Sequence, residues 1–444
     1  MPSDDARLQR RYDRLVQEHL APLQRVAAGL RVLPTTAQPF AAAQAAWRFY
    51  ANPRVTLPQL AQPLIDAARV AVGDDCQDYA LLIHDWSELH YRYHNSKTDR
   101  IDLTGTDDPG YELMTALVIS DRSGAPIAPV CMQLRNSEGL YSSRSTRRLP
   151  SPSPLDGLQP VMRYVHRLQL GKPLVHIIDA EADSVAHFRR WHRQGRLFLV
   201  RADAQRVVRH DGRERKLPEV VAELHRSGAF RLSREVLYHG RKARQFVAAT
   251  TVTLYRPARP QRGGRHAKVP RPLVHGPALQ LRLVVSEVRA ADGTLLATWL
   301  LLTNLPETVP AERVALWYYW RWRVESYFKL LKGAGLQLEH WQQETAAALA
   351  KRLLVASVAC AVVWQVARDE SPEAAEFRRL LVSLSGRLMR PGKEFTEPAL
   401  LSGLWSLLSA IWLLDHYTPA ELRRIAQYVL PYRVPLERPP KGPV

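Results

Sequence analysis

The period of apolar positions changes several times along this 444-residue chain, and each change predicts a new kind of element. Residues 1–72 are Ala-rich, studded with arginine, and read as short helices divided by prolines at 34, 39, 53, 58 and 63. The segment "FAAAQAAWRFYANPRV" (40–55) ends in an Asn-Pro turn, which stops a helix. The pattern then shortens. "YALLIHD" (79–85) and "YELMTALVIS" (111–120) are apolar runs of strand length, and the turn "DRSG" joins the second to "APIAPVCMQL" (125–134) as an antiparallel hairpin. After a Ser/Pro-rich loop (147–157) come a helix around 158–170, the buried strand "PLVHIID" (173–179), a helix over 182–194 and the strand "RLFLVRA" (196–202). A meander followed by strand–helix alternation predicts a mixed α/β sheet.

Residues 203–298 interrupt that alternation with β-like runs, "RQFVAATTVTLY" and "ALQLRLVVSEV", and predict an inserted β-rich subdomain. Its Pro/Gly-rich basic loop at 256–277 reads as a mobile, positively charged tip. "TWLLLTNL" (298–305) returns to strand character, and a helix is expected from about 310 to 333. The remainder, 341–444, is mainly helical with a Pro-rich tail. Three domains result: a helical one over 1–72, an α/β one over 73–340 containing the insert, and a helical one over 341–444.

Charge narrows the class of partner. A formal net charge of +19 makes the chain repel itself, which points first to nucleic acid and second to an anionic membrane surface. The polar N-terminus "MPSDDARLQRRYDRL" does not have the form of a signal peptide. The most apolar run, "LLSGLWSLLSAIWLL" (400–414), is short for a bilayer span and reads as a buried helix. Three distant cysteines, Cys76, Cys131 and Cys360, lack metal-ligand spacing. They suit a reducing cytoplasm and speak against a disulfide framework or a zinc site.

The candidate chemistry lies in carboxylates. "WYYWRWRVESYFKLLKGAG" (317–335) crowds aromatic and basic side chains around a single acid, Glu325. On a continuous helix Tyr318, Arg321, Glu325 and Lys332 share one face within roughly a 60° arc. A carboxylate beside a phenol, a guanidinium and an ammonium suits phosphate chemistry, the acid holding a divalent metal and the donors gripping oxygens. The alternative is a core-packing helix with a surface Arg321–Glu325 pair. Asp85 and Asp179 each end an apolar strand, where carboxylates gather at the mouth of an α/β sheet. With Glu325 they form a minimal cage for two Mg²⁺ ions. Asp99, Asp102, Asp107, Asp108, Glu181 and Asp183 are competitors that do not directly end buried strands.

These residues carry a resemblance. The pattern Tyr318-x2-Arg321-x3-Glu325-x6-Lys332 resembles the YREK signature of bacterial cut-and-paste DDE transposases, the insertion-sequence-four group that includes the transposon-five enzyme. "IIDAEADS" is similar to that group's block around the second catalytic Asp, and "LLIHDWSELHYRYH" to the block of the first. "AAWRFYANPRV" resembles its N-terminal DNA-binding segment, and "TWLLLTNLP" the strand returning from its β insert. The blocks run in the same order over roughly residues 40–340.

The resemblance implies a ribonuclease H-like core with Asp85, Asp179 and Glu325 as catalytic metal ligands, using Mg²⁺ or in its place Mn²⁺. It implies that Tyr318, Arg321 and Lys332 hold phosphates near the transposon 5′ end, and that Arg201 contacts DNA. Trp299 matches a tryptophan that stacks on a flipped base during hairpin formation, and the alternative is a strand tryptophan in the core. The partners implied are double-stranded transposon ends and target DNA, with a homodimer formed through the C-terminal helices. The setting implied is the bacterial cytoplasm at the nucleoid, with no membrane insertion. Two rivals share the core: a catalytically inactive, transposase-derived DNA-binding protein or inhibitor, and a metal-dependent nuclease that cuts without joining.

Overall fold

The computed structural model describes residues 5–19, 37–104, 107–151, 153–258, 273–333 and 335–429. Helices α1 (Ala6–His19), α2 (Ala37–Ala51) and α3 (Leu57–Asp75) come first. α3 starts at Thr56, whose side chain accepts from the Gln59 N–H in a capping box. Pro63 does not divide it as the sequence suggests. The helix continues past Pro63 because Leu60, Leu64, Ile65 and Ala68 are buried on one face, and their packing outweighs one missing backbone bond.

Strands β1 (Ala80–His90), β2 (Ile101–Asp102), β3 (Pro109–Ser120), β4 (Pro126–Asn136) and β5 (Gly139–Ser142) follow. Then come α4 (Pro154–Arg167), β6 (Leu174–Ile178), α5 (Val185–Arg193) and β7 (Leu197–Arg201). The segment after β7 holds β8 (Val207–His210), β9 (Arg213–Lys216), α6 (Leu217–Arg226), β10 (Arg231–Tyr238), β11 (Arg241–Leu254) and β12 (Leu279–Arg289). β13 (Leu295–Thr303) leads to α7 (Ala311–Trp320), α8 (Arg323–Leu331), α9 (Ala346–Arg368), α10 (Pro372–Leu384), α11 (Glu397–His416) and α12 (Pro419–Val429).

All the described strands join one mixed sheet in the order β5-β4-β3-β1-β6-β7-β13-β12-β11-β8-β9, with β2 on β3 and β10 on β11. The meander β1–β3–β4 is antiparallel, and the β1–β6 and β6–β7 ladders are parallel. This mixed α/β arrangement is consistent with a ribonuclease H-like transposase core. The insert strands extend the same sheet, since β13 pairs with β7 on one side and β12 on the other. The tip of the basic loop, 259–272, lies outside the described residues, as does the Pro-rich tail from 430.

Two expectations change. The helix expected from 310 to 333 is broken into α7 and α8 at Arg321 and Trp322. α11 is buried only near its start, at Leu400, Leu401 and Leu404, while Ile411 and Leu414 are exposed. Apolar composition alone does not tell which half of a helix finds a neighbour. α9 and α11 are both long and apolar enough to cross a bilayer by length and composition. α9, however, is 72% buried inside the protein over its most apolar window, packed against β4 and α3. The three cysteines are free and buried.

Candidate active site

β1 does not end at Asp85. It runs on to His90, paired with β3 throughout, because an antiparallel neighbour still satisfies its backbone there. The parallel ladder with β6 does stop, at His84 opposite Ile178. Asp85 and Asp179 are the next residues on the two chains, so both carboxylates emerge where neighbouring strands part, as they do at the mouth of α/β sheets. Each is held by the N–H that follows it: Trp86 N–H donates to Asp85 Oδ1 at 2.9 Å, and Ala180 N–H to Asp179 Oδ1 at 2.6 Å. Asp179 also caps a 3₁₀ turn over Ala180–Ala182.

The break between α7 and α8 supplies the next groups. Arg321, Trp322 and Val324 N–H each bond three residues back, at 3.0, 3.4 and 3.2 Å, tightening the chain into a 3₁₀-like joint. From that joint Arg321 reaches both aspartates, with Nη1 2.7 Å from Asp85 Oδ2 and Nη2 3.0 Å from Asp179 Oδ2. It forms this bridge in place of the surface pair with Glu325. The Tyr318 hydroxyl donates to Asp179 Oδ1 at 3.2 Å, and Arg201 Nε lies 2.7 Å from the same oxygen. Arg201 and Tyr318 therefore both serve Asp179.

Burial pushes the Asp85 carboxyl up to about 6; Arg321 and the Trp86 N–H oppose the rise, while Glu325 and Asp179 add to it. Burial also raises the Tyr318 phenol, helped by Asp179. Neighbouring part-buried acids call for positive charge, and the Arg321 guanidinium provides it between Asp85 and Asp179. The donor set is oxygen-only and fits Mg²⁺ or Mn²⁺. Among the described residues, the group whose donor atoms already lie close enough for an ion is elsewhere, at His210, Asp211 and Glu223. Between Asp85 and Asp179 the space is bridged by the Arg321 guanidinium.

Lys332 points along β1, donating to the Glu88 carbonyl and lying 3.4 Å from Glu339. It caps α8 with non-helical backbone, so the single helical stripe expected of Tyr318, Arg321, Glu325 and Lys332 is bent at both the joint and the end. Trp317 and Phe328 are buried, and Trp320 packs against the core. Trp299 on β13 is partly exposed and lines a cavity of about 530 Å³ with Arg201, Tyr238, Tyr318, Arg321 and Trp322. Tyr238 stands edge-on to it at 6.4 Å.

Sequence reasoning missed Trp322, Arg323 and Tyr238 as cavity walls. The aromatic–basic run around Trp322 was a usable signal, whereas Tyr238 arrives from a distant hairpin with none. Two competing acids have structural partners. Asp99 accepts from the Tyr111 hydroxyl, Asn136 and the Ala346 N–H, and Asp183 is buried against Arg206.

Residues 150–364 match the family described as the transposase DDE domain. The match supports a DDE transposase family. It spans Asp179, Trp299, Arg321 and Glu325 but begins after Asp85, which is tied to these residues by its pair with Arg321. The DDE domain implies a metal-dependent, DNA-acting enzyme, since DDE transposases use divalent metal ions. No curated protein matches the chain.

Proposed function

We propose that this protein is a transposase of the YREK-bearing, insertion-sequence-four kind, and that it cuts and joins DNA at its element's ends. The observation that carries the reading is the bridge of Arg321 to Asp85 and Asp179, with Glu325 one helical turn further on. That bridge joins the two aspartates, Tyr318 donates to one of them, and residues 150–364 match the DDE domain, which together support the reading.

In this reading Asp85, Asp179 and Glu325 are the metal ligands. Mg²⁺ bound there supplies activation of the attacking oxygen and stabilisation of the leaving one. Once its carboxylates are engaged otherwise, Arg321 turns its planar fork to a phosphate, which it grips through two parallel N–H donors. Tyr318, Lys332 and Arg201 add donors around that phosphate. The walls formed by Trp299, Trp322 and Tyr238 suit a base taken out of the stack, as closing a DNA hairpin requires. Water then nicks the element end, the freed 3′-hydroxyl attacks the opposite strand to form the hairpin, and after reopening the 3′-hydroxyl attacks target DNA.

Residues 1–72 are assigned to binding the terminal repeats and the C-terminal helices to a homodimer. The exposed apolar half of α11 supports that last assignment. The protein would work on the nucleoid in the bacterial cytoplasm. The test is incubation of the full chain with DNA carrying the native element ends, with and without Mg²⁺ or Mn²⁺. Metal-dependent cleavage with hairpin ends is expected, and Glu325→Gln should abolish it while retaining binding. Nicking without hairpins or joining would favour the nuclease, and binding without cleavage the inactive DNA-binding protein or inhibitor.

A further inference from the structure

The β8–β9 hairpin turns on Asp211 and Gly212, both with positive φ (46° and 75°), the backbone of a tight two-residue hairpin turn. That turn folds the Asp211 carboxylate back towards the ring of His210, with Oδ2 3.7 Å from Nδ1. α6 follows the hairpin and brings Glu223 Oε2 to 3.3 Å from the same nitrogen. His210 is only 5% exposed, and its Nε2 is fixed 3.0 Å from Thr250 Oγ1 on β11.

Two of these atoms are anomalous. His210 Nδ1 and Glu223 Oε2 are both buried, yet neither has a hydrogen-bond partner despite their closeness. Their orientation does not serve a direct hydrogen bond, and a buried polar pair left in that state calls for a third atom between them. In the tautomer whose Nε2–H donates to Thr250 Oγ1, Nδ1 presents a lone pair to two carboxylates, and a cation removes the conflict. Arg215 Nη1, 3.4 Å from Glu223 Oε2, already offsets part of the negative charge. The donor atoms of all three residues lie within 4.8 Å of one another.

We propose that His210, Asp211 and Glu223 form a second metal site, separate from the catalytic acids, that takes a divalent transition ion such as Zn²⁺. An imidazole nitrogen with two carboxylates suits Zn²⁺ better than Mg²⁺, which prefers oxygen alone. The ion clips the hairpin to α6 and, through Thr250, to β11, stiffening the end of the sheet that the insert forms. Cysteine spacing carries no trace of it because no cysteine takes part.

The experiment is calorimetric titration of the full chain with ZnSO₄, in a variant carrying Asp85→Asn and Glu325→Gln to weaken any binding at the catalytic acids. About one equivalent of Zn²⁺ is expected, and Co²⁺ should give a visible absorption band. Adding Asp211→Asn or Glu223→Gln should weaken binding at least about tenfold, and Thr250→Val about tenfold or more by freeing the ring. Asp211→Asn is the safest of these for folding, because its side chain is 76% exposed and Asn tolerates positive φ. Absence of the equivalent means a proton fills the place and overturns the site, as does unchanged affinity in the Asp211→Asn/Glu223→Gln double variant. The site does not depend on the transposase reading: loss of cleavage alone, with zinc binding intact, bears only on the catalytic acids.

Discussion

Arg321 Nη1 lies 2.7 Å from Asp85 Oδ2, a buried guanidinium facing a part-buried carboxylate from a helix joint and a central strand. The same guanidinium reaches Asp179, so one cation neutralises two acids that would otherwise repel. Removing it leaves the part-buried Asp85 carboxylate without its cation, at a cost of about 1–3 kcal/mol, while Asp179 keeps Arg201. Arg321→Ala should therefore unfold at lower temperature without metal, yet gain more from added Mg²⁺ or Mn²⁺ than the wild type, because the competing cation is gone. Thermal unfolding with and without metal checks this, and an equal metal-induced shift in both proteins would sink it.

Trp299 is placed on the wall of the cavity beside Arg321, with Tyr238 edge-on to it. Stacking a base on an aromatic ring contributes about 1–3 kcal/mol. Trp299→Ala should then slow hairpin formation about 5- to 150-fold more than first-strand nicking. Single-turnover assays resolve the two steps, and equal slowing of both would assign the ring to packing.

Asp85 titrates at about 6, raised chiefly by burial. Below that pH it is neutral and a poor ligand, so Mn²⁺ affinity and cleavage should fall as pH is lowered through about 6. Stability runs the other way. The folded value exceeds the ordinary 3.8, so the contribution of Asp85 is fully present below about 3.8 and lost as pH rises through about 6. Asp85→Asn should erase the inflection near pH 6 in unfolding free energy, and persistence of that inflection would assign it to another group.

Gly124, in the β3–β4 turn at φ +69°, lies under the ring of Trp320, where an added Cβ would come within 2.3 Å. Gly124→Ala should cost about 1–3 kcal/mol in urea unfolding. Because Trp320 ends α7 next to Arg321, metal-dependent cleavage should fall with it. Gly73→Ala is the control: nothing lies within 4 Å of its Cβ, and a helical alanine is favoured over glycine.

Much of the fold was legible along the chain. Alternating and continuous apolar runs marked β3, β4, β6, β7 and β13 because strand side chains alternate or bury on both faces whatever their partners are. Asp85, Asp179 and Glu325 stood out as carboxylates following or punctuating apolar runs. The sequence by itself determined which segments could be strand or helix, and which acids had the chemistry for a cation.

Tertiary structure decided the rest. β1 passes through Asp85 because β3 is there to pair with it, and no property of residues 85–90 announces that neighbour. Arg321 pairs with Asp85 and Asp179 and leaves Glu325, four residues on, because the chain tightens between α7 and α8 and aims the guanidinium inward. His210, Asp211 and Glu223 meet only once a tight hairpin and the helix after it fold together. Local pattern is fixed by backbone geometry over a few residues, whereas convergence of charge depends on contacts between separate elements, 13 positions apart at His210 and Glu223 and 236 apart at Asp85 and Arg321.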